Sequence, residues 1–131
     1  MPFAGLVSGV ELGRWGIPCI GGWDFNDIYD PTEIKSVDLT EGTILVDATG
    51  LYCALIKADH YLKHTFEPYE DVLGPDVNLG LALRRQGLLN YMDFSVKVDH
   101  LTSKGKLEVK RDTIDVVTFI KNKTGWEQKS L

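Results

Sequence analysis

The stretch Gly74–Thr102, GPDVNLGLALRRQGLLNYMDFSVKVDHLT, decides the fold because it predicts a helix, a stop and a strand in immediate succession. Asp76 can cap a short amphipathic helix, and Gly87 ends it. In this helix Arg84-Arg85-Gln86 are expected to point to solvent near the C-terminal end. The residues expected to face inward or to line a packing contact are Val77, Leu79, Gly80, Leu81 and Leu83. From Asn90 to Leu101 polar and apolar residues alternate, which predicts a half-buried strand with His100 near its end. An acid and an imidazole are therefore expected at the ends of neighbouring elements, where side chains can converge on a ligand. Taken alone, the two residues are more simply a helix cap and a satisfied surface histidine.

The residues upstream predict more strands and one short helix. Glu33–Leu39 and Thr43–Asp47 alternate in polarity around the turn residue Gly42, which predicts a hairpin. Leu51–Lys57 is mostly apolar, as in a strand covered on both faces. Asp59 is expected to cap a short helix that continues to about residue 64.

The two ends of the chain are less regular. Glycines divide residues 1–23 into what we expect to be short extended pieces and turns. Asp24–Pro31 is rich in aspartate and predicts a loop or a single helical turn. Leu107–Arg111 and Asp115–Ile120 predict two short strands. The polar tail after Asn122 is expected to fray, apart from Trp126.

Length and composition indicate one domain. The chain has 131 residues, of which 44% are hydrophobic and 25% charged, as in ordinary soluble proteins. The net charge of −5 comes from acids and bases mixed along the chain, so it gives no reason to expect nucleic acid or a membrane surface as partner. No apolar run approaches the length of a transmembrane segment. Cys19 and Cys53 are predicted to be reduced, which favours a cytoplasmic location.

Several kinds of active site are not indicated by the sequence. It has no Gly-x-Ser-x-Gly elbow, no phosphate-binding glycine loop and no Cys/His cluster with zinc spacing. Three residues at or near the ends of elements remain, namely Asp47, Asp76 and His100. A carboxylate at a pocket mouth can take a proton from a hydroxyl group, and an imidazole can complete the shell of Mn²⁺, or less readily Mg²⁺, beside a diphosphate.

The order of four segments resembles a known family. VDATGLYCALIKADHYLK, Phe66, PDVNLGLALRRQG and FSVKVDHLT follow one another as in the second, acceptor-side half of GT-A-fold glycosyltransferases, most closely the inverting enzymes of family 2. The resemblance covers residues 43–102. It implies an α/β (α+β-like) domain over residues 1–131, with a mixed β-sheet and a few short helices. Residues 1–42 would form an N-terminal acceptor-side segment, and residues 103–131 the last strands and the tail.

The resemblance also implies a catalytic base. Asp76 matches the second acid of the family's Glu-Asp motif, which deprotonates the acceptor hydroxyl. Pro75 replaces the first acid, which is a departure from the pattern. Glu70-Asp71 is a literal Glu-Asp pair slightly upstream, and it ranks second as a substrate-binding candidate.

Other positions carry over as binding residues. His100 matches a histidine that reaches the metal or the diphosphate in many members, which implies a divalent cofactor, Mn²⁺ or Mg²⁺. Gly50 matches the glycine beside the acceptor site, and Asp47 lies just before it. Together with Trp23, these residues are the predicted substrate contacts. The implied ligands are a nucleotide-sugar donor and a glycan or other acceptor with a free hydroxyl.

One part of the family pattern is absent. No Asp-x-Asp occurs in the chain, and the nucleotide-binding βαβ segment of the family is missing. The resemblance therefore implies metal-dependent, inverting sugar transfer that needs a donor-binding half, with this chain as a fragment or partner of it.

Two alternatives stand beside this interpretation. The chain could be a non-catalytic glycan-binding or oligomeric assembly module, in which exposed Trp15, Trp23 and Trp126 stack on sugars or on a partner. An open sheet edge would then be covered by a second copy or by a donor-binding chain. The other alternative is a small, unrelated α+β protein in which the order of motifs arose by chance.

Overall fold

The computed structural model describes residues 4–11, 19–51, 53–62, 74–98, 101–102, 105–106 and 114–129, which form a strand-rich α+β fold. This confirms the predicted mixture of strands with short helices. The two described helices are α1 (Ala58–Leu62) and α2 (Pro75–Arg85). The described strands are β1 (Ala4–Glu11), β2 (Gly22–Phe25), β3 (Glu33–Ser36), β4 (Thr43–Val46), β5 (Ala48–Thr49), β6 (Ala54–Ile56), β7 (Leu89–Val98), β8 (Leu101–Thr102), β9 (Gly105–Lys106), β10 (Thr118–Asn122) and β11 (Gly125–Gln128).

Most of these strands belong to two sheets. The four-stranded sheet has the order β4-β7-β1-β6, in which only the β1–β7 pair is parallel. The five-stranded sheet has the order β11-β10-β3-β2-β5 and is antiparallel throughout. Strands β8 and β9 form a separate pair. The sheet that contains β7 is therefore mixed, as the sequence predicted.

Helix α2 has the predicted end and a slightly different start. It begins at Pro75, whose fixed φ suits the first helical position, so the cap residue is Gly74 and not Asp76 as predicted. Gly87 has a φ of +84° and ends the helix as predicted. The Leu88 N–H donates to the Leu83 carbonyl at 3.1 Å, which satisfies one of the last carbonyls of the helix.

Helix α2 supplies much of the core from two of its sides. Its buried apolar residues pack in two directions, onto the four-stranded sheet around Leu6 and onto the five-stranded sheet around Phe25 and Ile34. A third cluster lies between β7 and the segments around Ile20 and Val37. The α2 residues in these contacts are Val77, Leu79, Leu81 and Leu83, all predicted to face inward.

Three predictions about strands were wrong. Glu33–Leu39 and Thr43–Asp47 do not form a hairpin, because β3 pairs with β2 and β10 while β4 pairs with β7 in the other sheet. Residues 4–11 form one strand, although its register on β7 shifts at Gly5 and at Gly9. The tail contains β11, which pairs with β10 instead of fraying.

Strand β6 also differs from expectation. It lies at the edge of the four-stranded sheet, and Leu55 in its middle is 78% exposed, so the strand is not covered on both faces. The predicted strand Leu107–Arg111 lies entirely outside the described part of the chain. Neither described helix is long and apolar enough to cross a membrane.

Candidate functional site

Asp47 is the single residue between β4 and β5, and these two strands belong to different sheets. Its backbone is fixed on both sides. The Asp47 N–H donates to the Trp23 carbonyl at 2.9 Å and to Asp24 Oδ1 at 3.1 Å. The Asp47 carbonyl accepts a hydrogen bond from Asn90 Nδ2 at 2.8 Å. Asp47 therefore connects the two sheets through hydrogen bonds to β2 and β7.

The Asp47 carboxylate is also bound by its surroundings. Oδ2 accepts from the Phe25 N–H at 2.8 Å, and Oδ1 accepts from Arg84 Nε at 3.1 Å. The side chains of Asp47 and Arg84 are only 17% and 24% exposed, so solvent screens this ion pair less than a surface pair. Arg84 was predicted to point to solvent, which is wrong, and it also donates from Nη1 to the Leu88 carbonyl at 3.0 Å.

Asp24 is a second carboxyl at this junction. Its side chain keeps contact with water, but neighbouring protein atoms partly desolvate it and raise its pKa. The negative charge of Asp47 raises that pKa further, whereas the Asp47 N–H and the Arg84 guanidinium lower it. The junction thus holds two carboxyl groups against one guanidinium.

Two buried polar residues adjoin Asp47, Thr49 in the sequence and Asn90 through a hydrogen bond. Asn90 is fully buried, and its Nδ2 bridges the carbonyls of Asp47 and Gly80, the latter at 3.0 Å. Asn90 Oδ1 and Thr49 Oγ1 are buried and have no hydrogen-bond partner among the described residues. A buried amide that donates to both the β4–β5 connection and α2 fixes their relative position, and losing it would remove both contacts.

Asp76, the predicted base, lies in the first turn of α2 and is half-buried. Its Oδ1 accepts from the Val77 N–H at 3.0 Å. Asp76, Gly80 and Arg84 are spaced by four residues and so share one side of the helix. That side lies on β4 and β5, because Arg84 binds Asp47, and a Cβ at Gly80 would be 2.6 Å from the Ala48 Cβ.

Asp76 and the Asp47 carboxylate are nevertheless far apart, because Asp76 lies at the start of α2 and Asp47 binds near its end. Asp76 precedes Arg84 by eight residues, which corresponds to about 12 Å of helix axis. Asp47 binds at the Arg84 end, so the two carboxylates lie towards opposite ends of the contact between α2 and the strands.

Gly50 and Trp23 lie on the five-stranded sheet close to Asp47. Gly50 is buried, its N–H donates to the Gly21 carbonyl at 2.9 Å, and its carbonyl accepts from Ser8 Oγ at 3.2 Å. Trp23 pairs with Ala48 in the sheet. Its ring is half-buried and meets Phe119 edge-on, with 5.7 Å between the ring centroids. Trp126 is also half-buried, so these two tryptophans are less exposed than predicted, and Trp15 lies outside the described part of the chain.

The remaining predicted residues, Glu70, Asp71 and His100, lie outside the described part of the chain. Among residues 4–11, 19–51, 53–62, 74–98, 101–102, 105–106 and 114–129, no group of three or more His, Cys, Asp or Glu side chains is arranged to hold a metal ion.

Sequence reasoning did not assign a site role to Asp24 or Asn90, and it assigned Arg84 to solvent. For Arg84 a signal was present, because it follows Gly80 by four residues and glycine in a helix interior often marks close packing. Comparisons with protein-family models, with curated proteins and with solved structures each return no match.

Proposed function

We propose that this chain is the acceptor-side part of an inverting, GT-A-like glycosyltransferase. It would transfer a sugar from a nucleotide-sugar donor to an acceptor hydroxyl, together with a donor-binding half that supplies the Asp-x-Asp acids. The free thiols of Cys19 and Cys53 support the further proposal that it works in the cytoplasm.

The observation that carries this proposal is the position of α2 on the segment Val46–Gly50. The side of α2 that bears Asp76 also bears Gly80, and Gly80 touches Ala48 with no room for a side chain. The helix that carries the proposed base is therefore packed against the segment that contains Gly50. Only Asp47 of this segment is partly exposed, so the acceptor would bind at the Asp76 end of α2 and not on the segment itself.

In the proposed reaction, the Asp76 carboxylate accepts the proton of the acceptor hydroxyl. The oxygen attacks the anomeric carbon from the side opposite the leaving group. A bond from this oxygen to the anomeric carbon forms as the bond from that carbon to the nucleoside diphosphate breaks, which inverts the configuration. A divalent cation, when bound, would offset the charge of the leaving diphosphate, and His100 is the proposed residue of this chain to hold it.

Acceptor binding can be tested without the donor half. We would screen the chain against mono- and oligosaccharides by saturation-transfer NMR, and then compare it with Asp76→Asn, which keeps the shape but removes the charge. The expected result is millimolar binding of at least one saccharide that weakens several-fold in the variant. Calorimetry would measure the binding of UDP- and GDP-sugars in the presence of Mn²⁺. We expect this binding to be weak because the donor-recognising half is absent.

The matched control is Asp115→Asn, which changes an exposed carboxylate outside the site. It should leave saccharide binding unchanged. Absence of binding across the panel, or equal binding by the wild type and Asp76→Asn, would contradict the proposed role of Asp76. Tight binding of a nucleotide sugar would show a donor site within this chain and contradict the division into halves.

A further inference from the structure

The outer face of the four-stranded sheet carries an apolar row that crosses all four strands. The pairing of Val7 with Leu55, of Val7 with Tyr91 and of Tyr91 with Leu45 places these residues side by side. We call Leu55, Val7, Tyr91 and Leu45 the outer row. Side chains at directly paired positions point to the same face of a sheet, so the row is continuous.

Burial differs sharply between the two faces. The adjacent row, which includes Leu6, Asn90 and Val46, is almost fully buried beneath α2 and the core. In the outer row, Leu55 and Leu45 are 78% and 57% exposed, while Val7 and Tyr91 are half-buried. Val96, 42% exposed, lies over Gly9 and extends the apolar surface. Contiguous apolar patches are often functional even when they are no larger than those found on monomers.

We propose that the outer row is the contact surface of a homodimer, in which the sheets of two copies pack face to face. A twofold axis parallel to the strands, between β1 and β7, would set Leu55 of one copy against Leu45 of the other. The same axis sets the small Val7 against the large Tyr91. The row is therefore complementary to itself, as an interface between identical surfaces requires.

Charge favours a second copy over a strongly charged partner. The outer row contains no charged residue, although the chain carries a net charge of −5. The acid-rich segment Asp24–Glu33 belongs to β2, β3 and their connection, in the other sheet. Acids placed opposite each other would repel and so oppose association. Two copies can meet at the outer row without bringing these acid-rich segments together.

The size of the surface sets the strength of the dimer. Four strands at about 4.8 Å spacing span about 19 Å, and the row with its neighbours extends about 15 Å along the strands. The footprint is thus about 300 Å² on each copy, and stable interfaces bury about 800 Å² on each partner. The dimer should therefore be weak and depend on concentration.

Sedimentation equilibrium tests the association. From about 10 to 500 µM, the range in which weak interfaces associate, the average mass should rise above the 14.6 kDa of one chain. Leu55→Lys and Leu45→Lys should each remain monomeric across this range. Both side chains are exposed, so the variants should keep the wild-type circular dichroism spectrum. Leu39→Lys is the matched control, because Leu39 is 38% exposed but lies outside the row, and it should associate like the wild type.

Cross-linking tests the orientation. Cys53 precedes Leu55 by two residues and Thr43 precedes Leu45 by two, so the proposed axis brings Cys53 of one copy opposite Thr43 of the other. A bismaleimide with a spacer of about 10 Å, the distance between packed sheets, should link Thr43→Cys chains into dimers. Wild-type chains should not be linked, since their two Cys53 residues would lie about 17 Å apart.

The two experiments have distinct outcomes. A monomer at all concentrations, or association that survives both lysine substitutions, would overturn the proposal. Row-dependent association without the Thr43→Cys cross-link would overturn the proposed twofold arrangement. Neither result bears on Asp76, because the outer row lies on the face of the sheet opposite α2.

Discussion

Arg84 Nε donates to Asp47 Oδ1 at 3.1 Å, and this ion pair ties α2 to the point where the chain passes from one sheet to the other. The same guanidinium also holds the Leu88 carbonyl beyond the end of the helix. Arg84 thus joins α2, the connection between β4 and β5, and the residue that precedes β7.

Replacing Arg84 should destabilise the fold. In Arg84→Met the Asp47 carboxylate loses its cationic partner while it remains mostly buried, so we expect the free energy of unfolding to fall by about 1–3 kcal/mol. Urea denaturation followed by circular dichroism measures this change. Lys123→Met, which removes an exposed cation from the β10–β11 turn, is the control and should change stability by less than about 0.5 kcal/mol. An equal effect of both substitutions would contradict the role of the ion pair.

Asp24 should make stability depend on pH. The pKa of Asp24 in the folded state is raised above the ordinary value of 3.8. Near and between the unfolded-state and folded-state pKa values, the folded state therefore binds more protons than the unfolded state. Its contribution to stability is therefore present at low pH and is lost as the pH rises through the folded-state pKa. In Asp24→Asn this contribution is absent, while the amide oxygen can still accept from the Asp47 N–H.

The measurement for Asp24 is the melting temperature of the variant minus that of the wild type. This difference should be more positive at pH 7 than at pH 3.5. Asp38→Asn is the control, since the Asp38 carboxylate is exposed and accepts only from the N–H of the next residue. A difference for Asp24→Asn that is constant with pH would refute the expected dependence.

Gly80→Ala decides between two opposing effects. Alanine should stabilise a helix interior by about 1 kcal/mol relative to glycine. Here the new methyl group would lie 2.6 Å from the Ala48 Cβ and 2.8 Å from the Asp47 carbonyl oxygen, so α2 must move away from the strands. Because overpacking costs about 1–3 kcal/mol, with backbone atoms at the upper end, we expect a net loss of stability.

The double variant Gly80→Ala/Ala48→Gly gives the control for this steric argument. Removing the Ala48 methyl group relieves one of the close contacts but leaves the contact with the Asp47 carbonyl, so stability should recover only in part. A Gly80→Ala variant that is more stable than the wild type would mean that α2 is not pressed against this segment.

The two cysteines should differ in reactivity. Cys19 is buried, and burial raises the pKa of its thiol, whereas Cys53 is exposed. Because the thiolate is the reactive form, a thiol reagent should label one cysteine per native chain quickly and the second only after unfolding. Cys53→Ser should abolish the fast phase. Fast labelling of both thiols in the native protein would contradict the burial of Cys19.

The sequence predicted local features better than pairing. The glycine stop of α2, its buried face and the strand β7 follow from residue spacing within short windows, and the structure contains all three. The hairpin of Glu33–Leu39 with Thr43–Asp47 was wrong because alternation marks a strand but does not identify its partner. In this fold the two strands are neighbours in sequence and belong to different sheets.

The candidate site shows the same limit. Asp47 and Gly50 were singled out because they adjoin a small-residue segment, and local sequence is enough for that. Asn90 was not, because its role depends on Asp47 and Gly80 meeting it from two other elements. Arg84 was assigned to solvent because charged residues near a helix end usually are exposed, and the opposing carboxylate comes from a residue 37 positions away.

The passage of the chain through Asp47 also restricts motion. A one-residue connection contains a single φ and a single ψ, and here the N–H on one side and the carbonyl on the other are both held by hydrogen bonds. Such a connection cannot act as a hinge, since rotation about either bond would break contacts with β2 or β7. The two sheets should therefore open together, and the amide protons of β4 and β5 should exchange with solvent at one shared rate of opening.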